Sequence, residues 1–323
     1  MNVLYIEKKM SKASPLISLS QDLIKLGAKV SFIDFSELST KELISHFLKA
    51  DVVVLQHYGK LGDYDKRQLA IAPLLGTPLI RNWAGTDVLN VIKSDIVKRD
   101  AQVINKFVSF NVTDSHKGLV EELSTANILC DSLPKIIYNL NLQANIPKHI
   151  SSRTILAYLP AERRNFYGAQ IIKGLIEKFH DVKFSIIGDD EHYFSHFENV
   201  ISHGWVTSTE MESIWDNVGI LIRITEHDGT PRMIYEALSR GKYVIHNNKN
   251  LEAIWYAGTQ NEVEQQVERF LALQNTNTEG LEFINKHFES KPNTVHFSYL
   301  SNAKVSFKTR LASVKFILQS LFS

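Results

Sequence analysis

The sequence predicts an α/β protein built from two Rossmann-like domains that face each other across a cleft. Strand-length apolar runs alternate with segments of helical periodicity through both halves, the pattern of βαβ units and of a parallel sheet covered on both faces. A polar, turn-rich stretch at 139–152 interrupts the series near its middle. The 323 residues suffice for two domains of ordinary size, each burying its own core. The expected boundaries are 1–145, 146–303, and 304–323 for a closing helix.

In the first half, the apolar runs at 3–6, 29–33, 52–55 and 78–80 read as strands. Between them, 15–26, 40–48 and 65–75 carry helical periodicity, while 108–112 and 135–138 continue the sheet. A second series starts at 154–159 and runs through 183–187, 200–202, 218–224 and 243–246. Helices are expected at 166–178, 209–217 and 262–274. In the tail at 304–322, Phe307, Leu311, Val314, Leu318 and Leu321 form a helical stripe, with Lys304, Lys308, Arg310 and Lys315 nearby. Such a stripe packs on the protein or rests on an anionic membrane surface, where Lys8, Lys9 and Lys12 would add charge.

Composition narrows the class. With 44% hydrophobic and 22% charged residues the chain is globular rather than disordered, and a net charge of +1 gives no reason to expect nucleic acid. The lone Cys130 excludes an internal disulfide framework. The first residues enter a strand pattern without a signal-peptide layout, and no apolar run approaches the roughly 18 residues of a membrane span. A cytoplasmic enzyme is the expectation. Twelve histidines contain no HExxH, and no P-loop, helix-opening GxGxxG or GxSxG is present. Asp63 and Asp65 have an acid-x-acid spacing but open a helix, so they are expected at the surface; no catalytic metal or cofactor is indicated.

Chemistry concentrates between Thr225 and His246. Asp228 and Glu236 stand eight positions apart, the first on the loop after the 218–224 strand and the second in the following helix. Thr230 suits the N-cap of that helix, Pro231 its first position and Gly241 its end. The loop lies at the C-terminal edge of a parallel strand, where open α/β sheets bind ligands. Free amides at the helix start, around Gly229 and Thr230, favour an anion such as a diphosphate. A carboxylate carries two acceptor oxygens and can grip a vicinal diol. The plainer alternative is that Asp228 caps the helix and Glu236 is solvated.

The run from Asp228 to Ile245 resembles the acid-x7-acid signature of retaining glycosyltransferases with the GT-B fold, especially glycosyltransferase family 4 (group 1). That family usually begins the signature with Glu, where this chain has Asp228, and Glu226 lies two residues earlier as a competitor. The resemblance implies that Glu236 binds the ribose hydroxyls of a nucleoside diphosphate sugar and Asp228 the transferred sugar. It assigns the diphosphate to Arg163 or Arg164, in a loop that ends Tyr167-Gly168 rather than with the family's Lys-Gly. Gly188 would allow close backbone approach; Trp205 and Val206 would line the base, unless Trp205 sits in the core. In the first domain it points to Gly85, Thr86 and Asp87 at the acceptor side, unless Thr86 or Asp87 caps a helix from Val88. His57 also stands at that sheet edge, where a structural partner is its commoner role.

The activity so implied is metal-independent hexosyl transfer with retention, from a nucleotide sugar to a carbohydrate or lipid-linked acceptor, in surface polysaccharide or glycoconjugate synthesis. The last helix would return to the first domain, and contact with the inner membrane face would be peripheral. A GT-B nucleotide-sugar epimerase and a non-catalytic nucleotide- or carbohydrate-binding protein are the alternatives.

Overall fold

Parallel strands buried on both faces require continuous apolar runs, and the runs in this chain form two six-stranded sheets, every named strand pair parallel. The computed structural model describes all residues except 9–19, 22, 58, 114–116, 134–145, 147, 230, 288–293 and 322–323. The first sheet contains β1 (Asn2–Glu7), β2 (Lys29–Asp34), β3 (Val52–Gln56), β4 (Leu79–Trp83), β5 (Phe110–Thr113) and β6 (Asp131–Ser132), in the order β2-β1-β3-β4-β5-β6. The second contains β7 (Ile155–Tyr158), β8 (Phe184–Ile187), β9 (Val200–Ser202), β10 (Ile220–Arg223), β11 (Tyr243–His246) and β12 (Trp255–Tyr256), in the order β12-β11-β10-β7-β8-β9.

The chain forms two compact units, Met1–Tyr138 with Ser290–Ser323, and Asn139–Glu289. Return to the first unit thus comes at Ser290, ahead of 304, and brings in the Thr294–Ser301 helix, whose Leu300 is buried with Val3, Tyr5 and Val54. Leu4, Ile6, Val53 and Leu55 alternate with these residues and belong to a separate core cluster with Phe35, Leu43 and Phe47, so each face of the sheet is covered. In the second unit Ile155, Ala157, Ile220 and Ile222 pack with Ile172, Leu175, Val263 and Val267 of two helices, Ala169–Lys178 and Gln260–Ala272.

Several boundaries differ from expectation for identifiable reasons. The helices expected at 209–217 and 262–274 are Ser208–Asp216 and Gln260–Ala272, begun by capping boxes from Thr207 with Glu210 and Thr259 with Glu262. The segment at 166–178 opens instead with two 3-10 turns, Ala161–Arg163 and Asn165–Tyr167, before the helix proper at Ala169. The strand at 108–112 is Phe110–Thr113, and β6 precedes 135–138, a segment outside the described residues. Half of 15–26 also lies outside them. Asp65 is buried rather than exposed, bonded to Lys8 Nζ at 2.6 Å, so Lys8 is not a loose surface charge. Lys9 and Lys12 lie outside the described residues.

The last helix, Phe307–Leu321, packs along the Asp63–Leu75 helix, with Arg67 Nη1 donating to Ser320 O at 3.0 Å. It buries Thr309 and Ser313 and turns Phe316 and Ile317 toward the core. The apolar stripe read from the sequence is on the other side. Among the described residues no helix is long and apolar enough to cross a membrane.

Candidate functional site

β7 and β10 lie side by side at the centre of the second sheet, and β8 and β11 leave on opposite sides of that pair. Connections reverse there, and an open α/β sheet binds ligands at such a reversal, beyond the C-terminal strand ends. Tyr158 ends β7 and Arg223 ends β10. Arg223 is 9% exposed, and its Nε donates to Asp228 Oδ2 at 2.7 Å. His246 stands opposite Arg223 in the β10–β11 register, on the same face of the sheet. Its Nε2 lies 3.7 Å from the same carboxylate oxygen. His246 Nδ1 accepts from the Asn248 N–H at 2.9 Å, which leaves the ring proton on Nε2, the nitrogen beside Asp228.

Opposed effects act on that carboxylate. Burial pushes the Asp228 carboxyl up, but the Arg223 guanidinium and His246 together outweigh it and hold the group at about 2. Burial pushes the His246 imidazole down against the pull of Asp228, so the ring is neutral near pH 7. The rings of Tyr158 and Tyr167 lie 5.4 and 5.0 Å from the Arg223 guanidinium and meet each other edge to face at 4.9 Å. The result is an anionic centre already compensated within the chain.

The second acid, Glu236, sits in the Arg232–Ser239 helix, and its Oε1 accepts from Arg232 Nε at 2.7 Å. Its side chain is mostly buried, which corrects the solvated alternative. The helix start also moves by one position: Pro231 is the cap, with φ −69° and ψ 124°, and Arg232 is the first helical residue. Pro231 makes no side-chain cap bond and itself takes the cap position, so Asp228 is not the cap residue. Gly229 is buried, and Thr230 lies outside the described residues. Gly241, φ 66°, ends the helix as expected. Glu226 is exposed, and its N–H donates to Phe166 O at 2.9 Å.

That bond clasps the loop after β7 onto the loop after β10, and Gly168 completes the contact. Its φ is +71°, and a Cβ there would meet Ile224 O at 2.9 Å. Gly168→Ala is therefore expected to cost about 1–3 kcal/mol through left-handed strain and the collision with backbone. A melting curve unchanged by this substitution would count against the clasp.

The two arginines of that loop have separate environments. Arg164 Nη2 bonds Asp189 at 3.0 Å and also Glu191, with the guanidinium 4.8 Å from the Tyr193 ring. Arg163 stacks 4.0 Å over Phe166. Both border a depression of about 500 Å³ together with Gln170 and Lys173, a size suited to a small molecule. Gly188, φ 82°, lies so close to the Tyr158 ring that a Cβ would sit 2.8 Å from it. The close approach expected at Gly188 is thus made to Tyr158. Trp205 is 65% exposed, which overturns the reading that placed it in the core; its ring lies 6.2 Å from Tyr158, and Val206 is half-buried.

In the first unit, Asp87 is buried and accepts from the N–H groups of Ala84, Gly85 and Val88 at 3.0, 2.9 and 2.9 Å. It closes its own turn, and the helix begins at Thr86, after Gly85, rather than at Val88. Burial pushes the Asp87 carboxyl up, against those N–H donors. His57 is buried, its Nε2 accepting from the Gly59 N–H at 3.2 Å, and burial pushes it down to about 4.

Sequence reasoning missed Arg223, His246 and Arg81. Arg81 lies within β4, and Arg223 and His246 end β10 and β11; a charged or imidazole side chain in a strand destined for burial was the available signal. Arg81, on β4, is buried with its guanidinium 3.6 Å from the Trp83 ring.

No protein-family model matches the sequence, and no curated protein does. Solved structures do resemble it. The lipopolysaccharide outer core galactosyltransferase WaaB, in its apo form, has 13% identity and a TM-score of 0.59 over 93% of this chain and 100% of that one. Sucrose-phosphate synthase from Thermosynechococcus elongatus has 12% identity and a TM-score of 0.67 over 93% and 98%. A mutant of S. aureus TarM, in complex with Fondaparinux, alpha-GlcNAc-glycerol and UDP, has 12% identity and a TM-score of 0.60 over 81% and 59%. At such identities the likeness establishes the fold: this chain has the GT-B architecture of those glycosyltransferases.

Proposed function

We propose that the chain is a retaining glycosyltransferase, moving a hexose from a nucleoside diphosphate sugar to a carbohydrate or lipid-linked acceptor. The observation that carries this reading is the pair Asp228 and Glu236, set beside the reversal point of the second sheet at a helix N-terminus. The UDP in the TarM structure supports a uridine nucleotide as the first donor to try. In this reading Glu236 exchanges its bond to the exposed Arg232 for ribose hydroxyls. Asp228, held ionised by Arg223 and His246, faces the sugar with fixed charge and geometry, a form of electrostatic preorganisation. Arg163 takes the developing diphosphate charge, because its cation–aromatic contact leaves the guanidinium edge for phosphate oxygens. Arg164 would have to leave Glu191 to join it.

A panel of nucleotide sugars screened by thermal shift tests the donor, since a ligand that binds only the folded state raises the melting temperature. Glu236→Ala is expected to weaken nucleotide binding by about 1.5 kcal/mol or more, roughly tenfold. Unchanged affinity removes Glu236 from the site, and an inverted anomeric centre in the product removes the retaining assignment. The ion-paired state of both acids favours a second reading, a non-catalytic nucleotide-sugar-binding protein. Donor binding without transfer or slow hydrolysis would select it.

A further inference from the structure

The Phe307–Leu321 helix packs on its unit through Thr309, Ser313, Phe316 and Ile317 and leaves a second apolar stripe outside. Thr309 and Ser313 are buried, while Phe307 is 83%, Leu321 63%, Leu318 51% and Leu311 42% exposed. At 3.6 residues per turn these four side chains fall within about 80° of one another, roughly opposite the buried edge. Lys308 and Lys315 are exposed and follow at the border of that apolar stripe, with Lys304 just ahead of the helix. From 290 to 323 the sequence has five basic residues and no Asp or Glu, although the whole chain is close to neutral.

Folding alone does not account for this charge. The first turn of a helix favours acids, yet this one carries Lys308 and Arg310 there and no acidic residue. An exposed apolar stripe edged by cations matches a bilayer interface, where the rings and leucines enter the acyl boundary and lysines meet anionic headgroups. We propose that this helix lies flat on an anionic lipid surface and docks the first unit there. Charge complementarity selects the lipid over a second copy of the chain, whose matching stripe would bring like charges together.

Co-sedimentation of the full chain with vesicles tests this. Phosphatidylcholine vesicles mixed with phosphatidylglycerol should retain the protein, phosphatidylcholine alone should retain far less, and added salt should release it. Lys304→Glu/Lys308→Glu/Lys315→Glu is expected to lower retention by at least about tenfold, as is Phe307→Ser/Leu318→Ser. Both variants should keep the wild-type melting temperature, because the altered side chains are exposed and an acid at 308 suits the helix dipole. Absent retention on anionic vesicles at low salt overturns the proposal. So does equal retention on both vesicle types, or a dimer in sedimentation velocity that Phe307→Ser/Leu318→Ser dissolves.

Discussion

Asp228→Ala is expected to destabilise the second unit by about 3–5 kcal/mol, because it leaves Arg223 charged, buried and without its carboxylate. For a unit of this size that is a fall in melting temperature of roughly 6–20 °C. The pair replaced together, as Arg223→Met/Asp228→Leu, should recover most of the loss, since a buried ion pair exchanged for apolar side chains is often neutral. The comparison separates two roles that one substitution confounds. A double variant that folds but neither binds donor nor transfers sugar assigns the Arg223–Asp228 pair to the site itself. Wild-type melting of Asp228→Ala would mean that Arg223 and Asp228 are not paired away from water.

Acid is the second large effect. Burial holds His57 and His296 neutral down to about 4, whereas an unfolded chain protonates its imidazoles near 6.5. Between these values the unfolded state binds more protons, so stability falls as the pH drops from about 6.5 to 4. Each histidine contributes on the order of 3 kcal/mol over that window. Both belong to the first unit, and His203 and His246 in the second are shifted in the same direction. The Asp228 carboxyl acts in a different range: its stabilisation is complete above about 3.8 and is lost only as the pH falls toward 2. Denaturant midpoints at pH 7 and pH 4.5 measure the difference. Equal midpoints, or a pH dependence undiminished by His57→Gln/His296→Gln, would contradict it.

These effects centre on residues whose partners were not readable from the chain. The strands were legible because a doubly covered parallel strand must be apolar on both sides, as in Val52–Gln56 and Ile220–Arg223. Helix starts were legible wherever a capping box stands, although Thr207 and Thr259 place them a residue or two earlier than periodicity alone suggests. Asp228 and Glu236 could be singled out, because their spacing and the Pro and Gly around them are local. That Asp228 meets Arg223 and His246 depends on β10 and β11 pairing in one register, which is a long-range contact. The orientation of the last helix stayed open in the sequence for a related reason: its largest apolar stripe points outward, and Thr309, Ser313, Phe316 and Ile317 make the contact.

By itself, then, the sequence determined the α/β alternation, the break near 139–152 and the loop on which the acidic pair stands, since periodicity, capping and turn chemistry act between near neighbours. Only the tertiary structure decided the strand order that puts Tyr158 beside Arg223, and with it the reversal point. It alone decided which carboxylates are already neutralised and which helix face meets solvent. Pairing and burial join residues far apart in the chain, and no local pattern encodes the partner.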